Sequence, residues 1–332
     1  MYSKRERKGR DMTRRAMLLP ALVGAAALIA CLAALVTAVH EAQAAFPGQN
    51  GRIAFSAYRP TSTGSDQQII TVSPNGTGTR QLTTNYGSTP DFSADGRKIA
   101  YAGRGGIYVM DRYGNGKRLV AEGTAYDPAW SPDGSKLAFV RQEPVYGPDG
   151  SVDFHKVDLW VMNADGSEQR KLTDDLAFDD NPTFSPDGSK VAFDDEGGEL
   201  WTINLDGSGR HNLTNTPNSL EYHPDFSPDG KKVAFSSPGQ YNRSDIYTMN
   251  LDGSARTNVT DSRYFNEEEA VWSPNGKRIA YRREGPNNDS NQPDIFVENA
   301  DGSSGRPTNV SNDPELNFSP DWGPKLSTTT TP

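Results

Sequence analysis

The chain has 332 residues, with 43 Asp and Glu against 34 Lys and Arg, and a single cysteine. An acidic chain without a basic stripe is a poor nucleic-acid binder, and one cysteine leaves no intramolecular disulfide. Only 34% of the residues are hydrophobic, while 32 are glycine and 23 proline. That balance excludes long amphipathic helices and suits many short strands joined by turns.

The first stretch reads as a targeting segment. Basic residues from Lys4 to Arg15 precede an apolar run from Met17 to Val39, and Ala42-Gln43-Ala44 follows as a small-residue cleavage pattern. Residues 1–45 are therefore expected to be a signal peptide or an N-terminal membrane anchor, since the run is long enough to span a bilayer if retained. Thr13 to Leu18 resembles a twin-arginine signal, and Leu28-Ile29-Ala30-Cys31 a lipobox, so lipidation is a third fate. Each fate exports the remainder, to the periplasm or the cell exterior, with the membrane touched only through this segment. Cys31 lies within it, which leaves the remainder without a thiol nucleophile or thiolate ligand. After residue 44 there are 27 basic and 40 acidic residues, a net charge of −13.

From there one phrase recurs. It is spelled DPAWSPDGSKLAF at Asp127 to Phe139, and again from Thr89, Asn181, His223 and Glu269. Gly51 to Phe55 (GRIAF) holds only its second half, and Pro320 to Gly323 (PDWG) only its first. Pro128 to Ser131 and Lys136 to Phe139 read as two strands, with Leu137 and Phe139 on one face and Ala138 on the other. Between them Pro132 and Asp133 fit the centre of a type I turn, and Gly134 supplies the positive φ that ends it.

A second phrase follows each copy, as in Leu159 to Thr173 (LWVMNADGSEQRKLT), and reads strand, Asp-Gly or Asn-Gly turn, strand. One unit is thus four antiparallel strands, recurring at about 40 to 50 residues, the blade of a β-propeller. The halves count to six if PDWG completes the blade begun by GRIAF. The expected fold is all-β: a six-bladed propeller of four-stranded antiparallel blades over 46–324, its first blade closed by the C-terminal strand. Residues 325–332 are expected to form a disordered tail. Phe92, Trp130, Phe184, Phe226, Trp272 and Trp322, one per phrase, are expected between blades as core.

These phrases, PxWSPDGKKIAF followed by IYVMNADG and RLT, resemble the TolB-type, WD-like propeller repeat across about residues 47–324. The resemblance implies a binding or scaffolding protein of the bacterial envelope. Propellers of this type also occur as non-catalytic parts of peptidases and in some polysaccharide lyases.

In a propeller the loops alternate between two faces. Here one face carries only tight SPDG and NADG turns. The other carries every insertion: Ser56 to Gln68, Val140 to Val157, Ser236 to Ser244 and Arg282 to Pro293. Binding residues concentrate on variable loops over a rigid scaffold, so the insertion face is the expected working surface. Acidic residues gather there. Thr89, Asp127, Asn181, His223, Glu269 and Ser319 each precede the aromatic strand, and they ring a central channel mouth if the innermost strands start there. The competing reading is that they end strands as Asx-type turns. Asp127, Asp180, Asn181, His223, Glu268 and Glu269 are the candidate site for a cation or a basic partner segment. Hard divalent cations suit the oxygens, and His223 suits zinc or manganese.

Other chemistry finds little footing. Asp225 to Gly230 and Asp91 to Gly96 open like a calcium loop, but Ser236 and Ala102 stand where the bidentate Glu belongs. GxSxG, HExxH, P-loop and GxGxxG patterns are absent from the sequence. No catalytic residue and no organic cofactor is assigned. The expectation is an extracytoplasmic, monomeric, non-enzymatic module that binds a protein partner in the envelope. The alternative is a polysaccharide lyase or hydrolase with a metal-assisted site at the channel mouth.

Overall fold

The computed structural model describes residues 48–326, apart from 63, 147–149, 176, 217–218, 286–291, 304–305 and 313. The expected signal or anchor segment, residues 1–45, lies outside the described residues, as do 327–332 of the expected tail.

Twenty-four strands form six four-stranded antiparallel sheets. Blade 1 is β1 (Asn50–Thr61), β2 (Gly64–Val72) and β3 (Arg80–Gln81), and blade 2 is β4 (Gly87–Phe92), β5 (Lys98–Gly103), β6 (Gly106–Asp111) and β7 (Arg118–Glu122). Blade 3 is β8 (Ala125–Trp130), β9 (Lys136–Tyr146), β10 (Val152–Asn163) and β11 (Arg170–Lys171). Blade 4 is β12 (Asp179–Phe184), β13 (Lys190–Asp195), β14 (Leu200–Asn204) and β15 (His211–Asn212). Blade 5 is β16 (Tyr222–Phe226), β17 (Lys232–Pro238), β18 (Ser244–Asn250) and β19 (Thr257–Asn258). Blade 6 is β20 (Asn266–Trp272), β21 (Arg278–Glu284), β22 (Asp294–Asn299) and β23 (Thr308–Asn309). The last strand, β24 (Asn317–Pro324), joins blade 1 in the order β24-β1-β2-β3. The innermost strands β24, β4, β8, β12, β16 and β20 pack in sequence as a closed ring.

The closing strand is the expected one, and its register sets Ile53 opposite Trp322 and Ala54 opposite Asp321. Gly51 is required at this seam, because a side chain there would strike the Pro324 carbonyl at 2.4 Å. Closure removes the free inner edge that blade 1 would otherwise present.

The first hairpin turns are fixed by their own side chains. In blade 3 the Gly134 N–H donates to the Ser131 carbonyl at 2.9 Å, with Gly134 at φ +69°. Ser131 Oγ donates to Asp133 Oδ1 at 2.6 Å and accepts from the Lys136 N–H at 2.8 Å. The SPDG sequence is thus a self-contained hydrogen-bonded unit, repeated at Ser185-Asp187 and Ser227-Asp229.

Strand alternation makes the core. Leu137 and Phe139 face blade 2 residues, among them Ala100 and Ile107, while Ala138 and Val140 face Phe184 and Val191 of blade 4. The six repeated aromatics are all buried, Trp272 being the most accessible at 5%. Each large ring of this kind buries about 150–250 Å².

Two of the expected insertion loops are instead extended hairpins. The β1–β2 pairing runs on to Thr61 opposite Gly64, and the β9–β10 pairing to Tyr146 opposite Val152. A loop that keeps its backbone hydrogen bonds as a ribbon costs less than an irregular one of equal length. Both ribbons rise from the insertion face, over blades 1 and 3. The described ends of the chain meet on the opposite, tight-turn face. There the Gly48 N–H donates to Pro274 O at 2.8 Å and the Lys325 N–H to Gln49 O at 2.7 Å.

Candidate functional site

The innermost strands begin one to three residues earlier than the sequence suggests. Blade by blade the three residues that end on the candidate position are Asn317-Phe318-Ser319, Gly87-Ser88-Thr89, Ala125-Tyr126-Asp127, Asp179-Asp180-Asn181, Glu221-Tyr222-His223 and Glu267-Glu268-Glu269. The third residue of every triplet is left-handed: φ is +57° at Ser319, +48° at Thr89, +49° at Asp127, +53° at Asn181, +57° at His223 and +62° at Glu269. Each sits in a register shift against the next strand, a β-bulge. Such a conformation costs a non-glycine residue roughly 1–2 kcal/mol, and Thr89 is β-branched as well. The six therefore neither start nor end their strands. They lie inside them, re-aimed by the bulge.

The bulge turns backbone N–H groups toward the preceding blade. The His223 N–H donates to Asp194 Oδ1 at 2.9 Å, the Glu269 N–H to Ser236 Oγ at 3.1 Å, and the Ser319 N–H to Glu269 Oε2 at 3.1 Å. Side chains continue the circuit, with Asn181 Nδ2 donating to Asp194 Oδ1 at 2.8 Å and Ser56 Oγ bonded to Ser319 Oγ at 3.2 Å.

The six candidate residues fall into two groups. Asp127, Asp180 and Asn181 join Asp194, and all four are buried. Burial and then the Asp180 charge hold the Asp127 carboxyl well above the usual range. Burial and the same neighbour raise Asp194, against the pull of the His223 N–H and the Asn181 amide. In the second group, Arg282 Nε lies 2.7 Å from Glu269 Oε1, and its terminal nitrogens reach Glu268 and Glu284. Burial pulls Glu268 upward, but Arg282 and then His223 outweigh it, and its pKa falls below the ordinary value. His223 is half-buried, between the two groups.

Asp194 and Arg282 are the residues that sequence reading missed. From sequence Arg282 reads as the start of an insertion. Both are strand residues facing the ring, directly opposite Asp180 and Glu268. Other acids of the insertion face are held by arginines. Glu267 is buried against Arg283, which lies 2.5 Å away. Arg210 bridges Asp175 at 2.5 Å and Asp179 at 3.1 Å. The calcium-loop reading fails on position. Asp91 and Asp225 are fully buried and accept the N–H of Trp130 (2.6 Å) and Trp272 (2.7 Å) in the next blade. Asp321 does the same for Phe92 at 2.6 Å.

The candidate ring offers charge without a chelating set. Among the described residues, no three His, Cys, Asp or Glu side chains are grouped so as to hold a metal ion.

A closed six-bladed propeller whose inner strands share one bulged, hydrogen-bonded ring defines a protein of the repeat-propeller class. The chain belongs to the TolB beta propeller domain family, whose model matches residues 43–216 and 191–330. A Tol-Pal system protein TolB of Anaeromyxobacter dehalogenans is 39% identical over 101 residues, covering 29% of this chain and 21% of that protein. The match thus spans about a fifth of that relative's length. The crystal structure of TolB from Acinetobacter baumannii superposes with a TM-score of 0.68 at 19% identity, over 84% of this chain and 68% of that one. An oligogalacturonate lyase in complex with manganese gives 0.55 at 17% identity, over 80% and 76%. At these identities the two structures share the fold.

Proposed function

We propose that this chain is an exported, non-enzymatic protein-binding module of the bacterial envelope, working through its insertion face. The observation that carries the reading is the Asp127–Asp180–Asp194 group. Buried carboxylates this close raise one another's pKa unless a cation relieves them, so the group favours a ligand that brings a positive charge. A lysine, arginine or amino terminus on a partner segment supplies that charge without the coordination geometry a metal needs. Membership in the TolB propeller family supports a partner within an envelope complex of the Tol-Pal kind. The ends of the propeller meet on the tight-turn face.

The test is chemical cross-linking of the full chain in cell envelopes, followed by purification. A stoichiometric protein partner is expected, lost in the Asp127→Asn, Asp194→Asn double variant. Cross-linking that survives the double variant would remove the mouth from the reading. Turnover of an acidic polysaccharide by the purified chain would replace the binding reading with a lyase.

A further inference from the structure

Eight arginines of the propeller lie with their guanidinium groups over aromatic rings. Most are locked into the fold. Arg104 pairs with Asp66 at 2.9 Å, Arg112 donates to Gly96 O at 2.9 Å, Arg141 donates to Gln169 at 2.8 Å, and Arg256 meets Glu221 at 2.6 Å. Arg263 differs. Its guanidinium carbon lies 5.4 Å from the Tyr241 ring centre and 5.9 Å from that of Tyr264, and among the described residues it makes no hydrogen bond or ion pair. Tyr241, Tyr264 and Arg263 are all exposed, the two tyrosines at 44% and 53%.

The three residues come from two segments of the insertion face, the β17–β18 turn and the connector from β19 to β20. Both segments are held firmly. The Gly239 N–H donates to Arg243 O at 2.6 Å across the turn. In the connector, the buried Ser262 donates its N–H to Asp245 Oδ1 at 3.1 Å and accepts from the Phe265 N–H at 3.1 Å. Phe265 in turn lies under Arg283, at 4.8 Å. The guanidinium is thus steadied on its faces while its N–H edge stays open to solvent. That edge matches a carboxylate, which it can bind through two parallel hydrogen bonds. Arg243, also exposed, supplies a second cation on the same turn as Tyr241.

We propose that Tyr241, Arg243, Arg263 and Tyr264 form a docking site for a carboxylate in an acidic segment of a protein partner. Tyrosine and arginine are the residues that dominate protein interfaces, each combining a large apolar body with a polar edge. The guanidinium takes up part of the ring surface that a sugar would need for stacking, which favours a peptide over an acidic glycan. This site rests on the protein-binding reading above and deepens it. A basic group at the channel mouth and an acidic one at Arg263 would fix a partner's orientation by opposite charges at two points.

The test is protection of arginine from phenylglyoxal, read by peptide mapping of the full chain in mild detergent. The probes are acetyl-tetraglutamate, tetraglutamine and trigalacturonate. Tetraglutamate is expected to slow modification of Arg263 by about fivefold and to leave Arg80 unchanged, since Arg80 is exposed but lies over no ring. The protection should disappear with tetraglutamine, at high salt, and in the Tyr241→Leu, Tyr264→Leu double variant. Equal protection of Arg80, or of Arg263 by tetraglutamine, overturns the proposal. Stronger protection by trigalacturonate at equal carboxylate concentration overturns the peptide assignment in favour of a glycan. None of these readouts depends on Asp127 or Asp194, so the clamp and the channel mouth fail separately.

Discussion

Blades 4 and 6 place different residues at one position of the same fold. In blade 4 the bulged inner strand sets Asp180 across from Asp194, and in blade 6 it sets Glu268 across from Arg282. The first is a pair of like charges and the second a pair of opposite ones. Directly opposed like charges destabilise a sheet, while opposite charges support it. Blade 6 is therefore a closed electrostatic unit. Blade 4 shares its acidity with Asp127 of blade 3 and satisfies Asp194 with neutral donors, the Asn181 amide and the His223 N–H. A single strand position thus decides whether an acidic residue of the ring faces a cation or a second carboxylate. The other four blades place Ser56, Ala102, Val140 and Ser236 there, which carry no charge.

The six blades form one continuous ring, and opening it is the harshest perturbation. Trp322→Ala removes a buried ring from the seam between blades 1 and 6, where it packs with Ile53, Val271 and Ile295. The expected loss is about 3–5 kcal/mol, read from urea unfolding of the full chain. A variant that unfolds like the wild type would mean that β24 does not hold the ring closed.

Converting blade 6 toward blade 4 is the next largest change. Arg282→Leu strips the counter-charge from Glu268 and Glu269 and leaves Glu269 buried without its ion pair. A loss of about 3 kcal/mol is expected at neutral pH, and part of it should return as the medium is acidified and the two carboxyls take up protons. A loss that does not change with pH would show that Arg282 acts by packing over Phe318, whose ring centre lies 5.6 Å from its guanidinium carbon.

Much of this architecture can be read in the sequence. Each SPDG carries its own turn chemistry, and the two half-phrases at the ends announce the closing strand. The bulge is hidden, because no residue type demands it. Five of the six left-handed residues precede proline, a context that ordinarily favours extended backbone, and the sixth precedes Ala270. The extra residue shifts every cross-strand partner beyond it, so the pairing of Asp180 with Asp194 cannot be counted from sequence spacing. Arg282 stayed hidden for a related reason. Long insertions look like loops when their polar residues are read singly, and only pairing shows that strands continue into them.

Converting blade 4 toward neutrality sharpens the contrast from the other side. Asp194→Asn keeps an acceptor for both neutral donors and removes one charge from the group. Stability at pH 8 is expected to stay level or rise by about 1 kcal/mol, against the loss expected when Arg282 is removed from blade 6. A clear loss at pH 8 would show that the Asp194 charge is itself needed, and that blade 4 is paired after all.

The smallest effect separates the channel mouth from the buried carboxylates that clip blades together. Asp321 accepts the Phe92 N–H, and burial lifts its pKa to about 8 despite that bond and a second from the Trp322 N–H. A carboxyl whose pKa is higher in the folded state than in the unfolded chain binds its proton more tightly when folded. Its contribution to stability is complete below the ordinary aspartate range, near pH 4, and is lost as the pH rises toward 8. Surface turn carboxylates such as Asp133, Asp187 and Asp229 act the other way. Their pKa values are lowered by hydrogen bonds from Ser131, Ser185 and Ser227, so their support is lost below about pH 4. The melting temperature should therefore peak in mildly acidic solution and decline toward pH 8. Asp321→Asn keeps an acceptor for Phe92 and removes the titration, so it should flatten the decline between pH 5 and 8 while leaving the acid limb unchanged. A decline of the same slope in the variant would assign it to other buried carboxyls, among them Asp179 and Glu298, whose pKa values burial lifts to about 7.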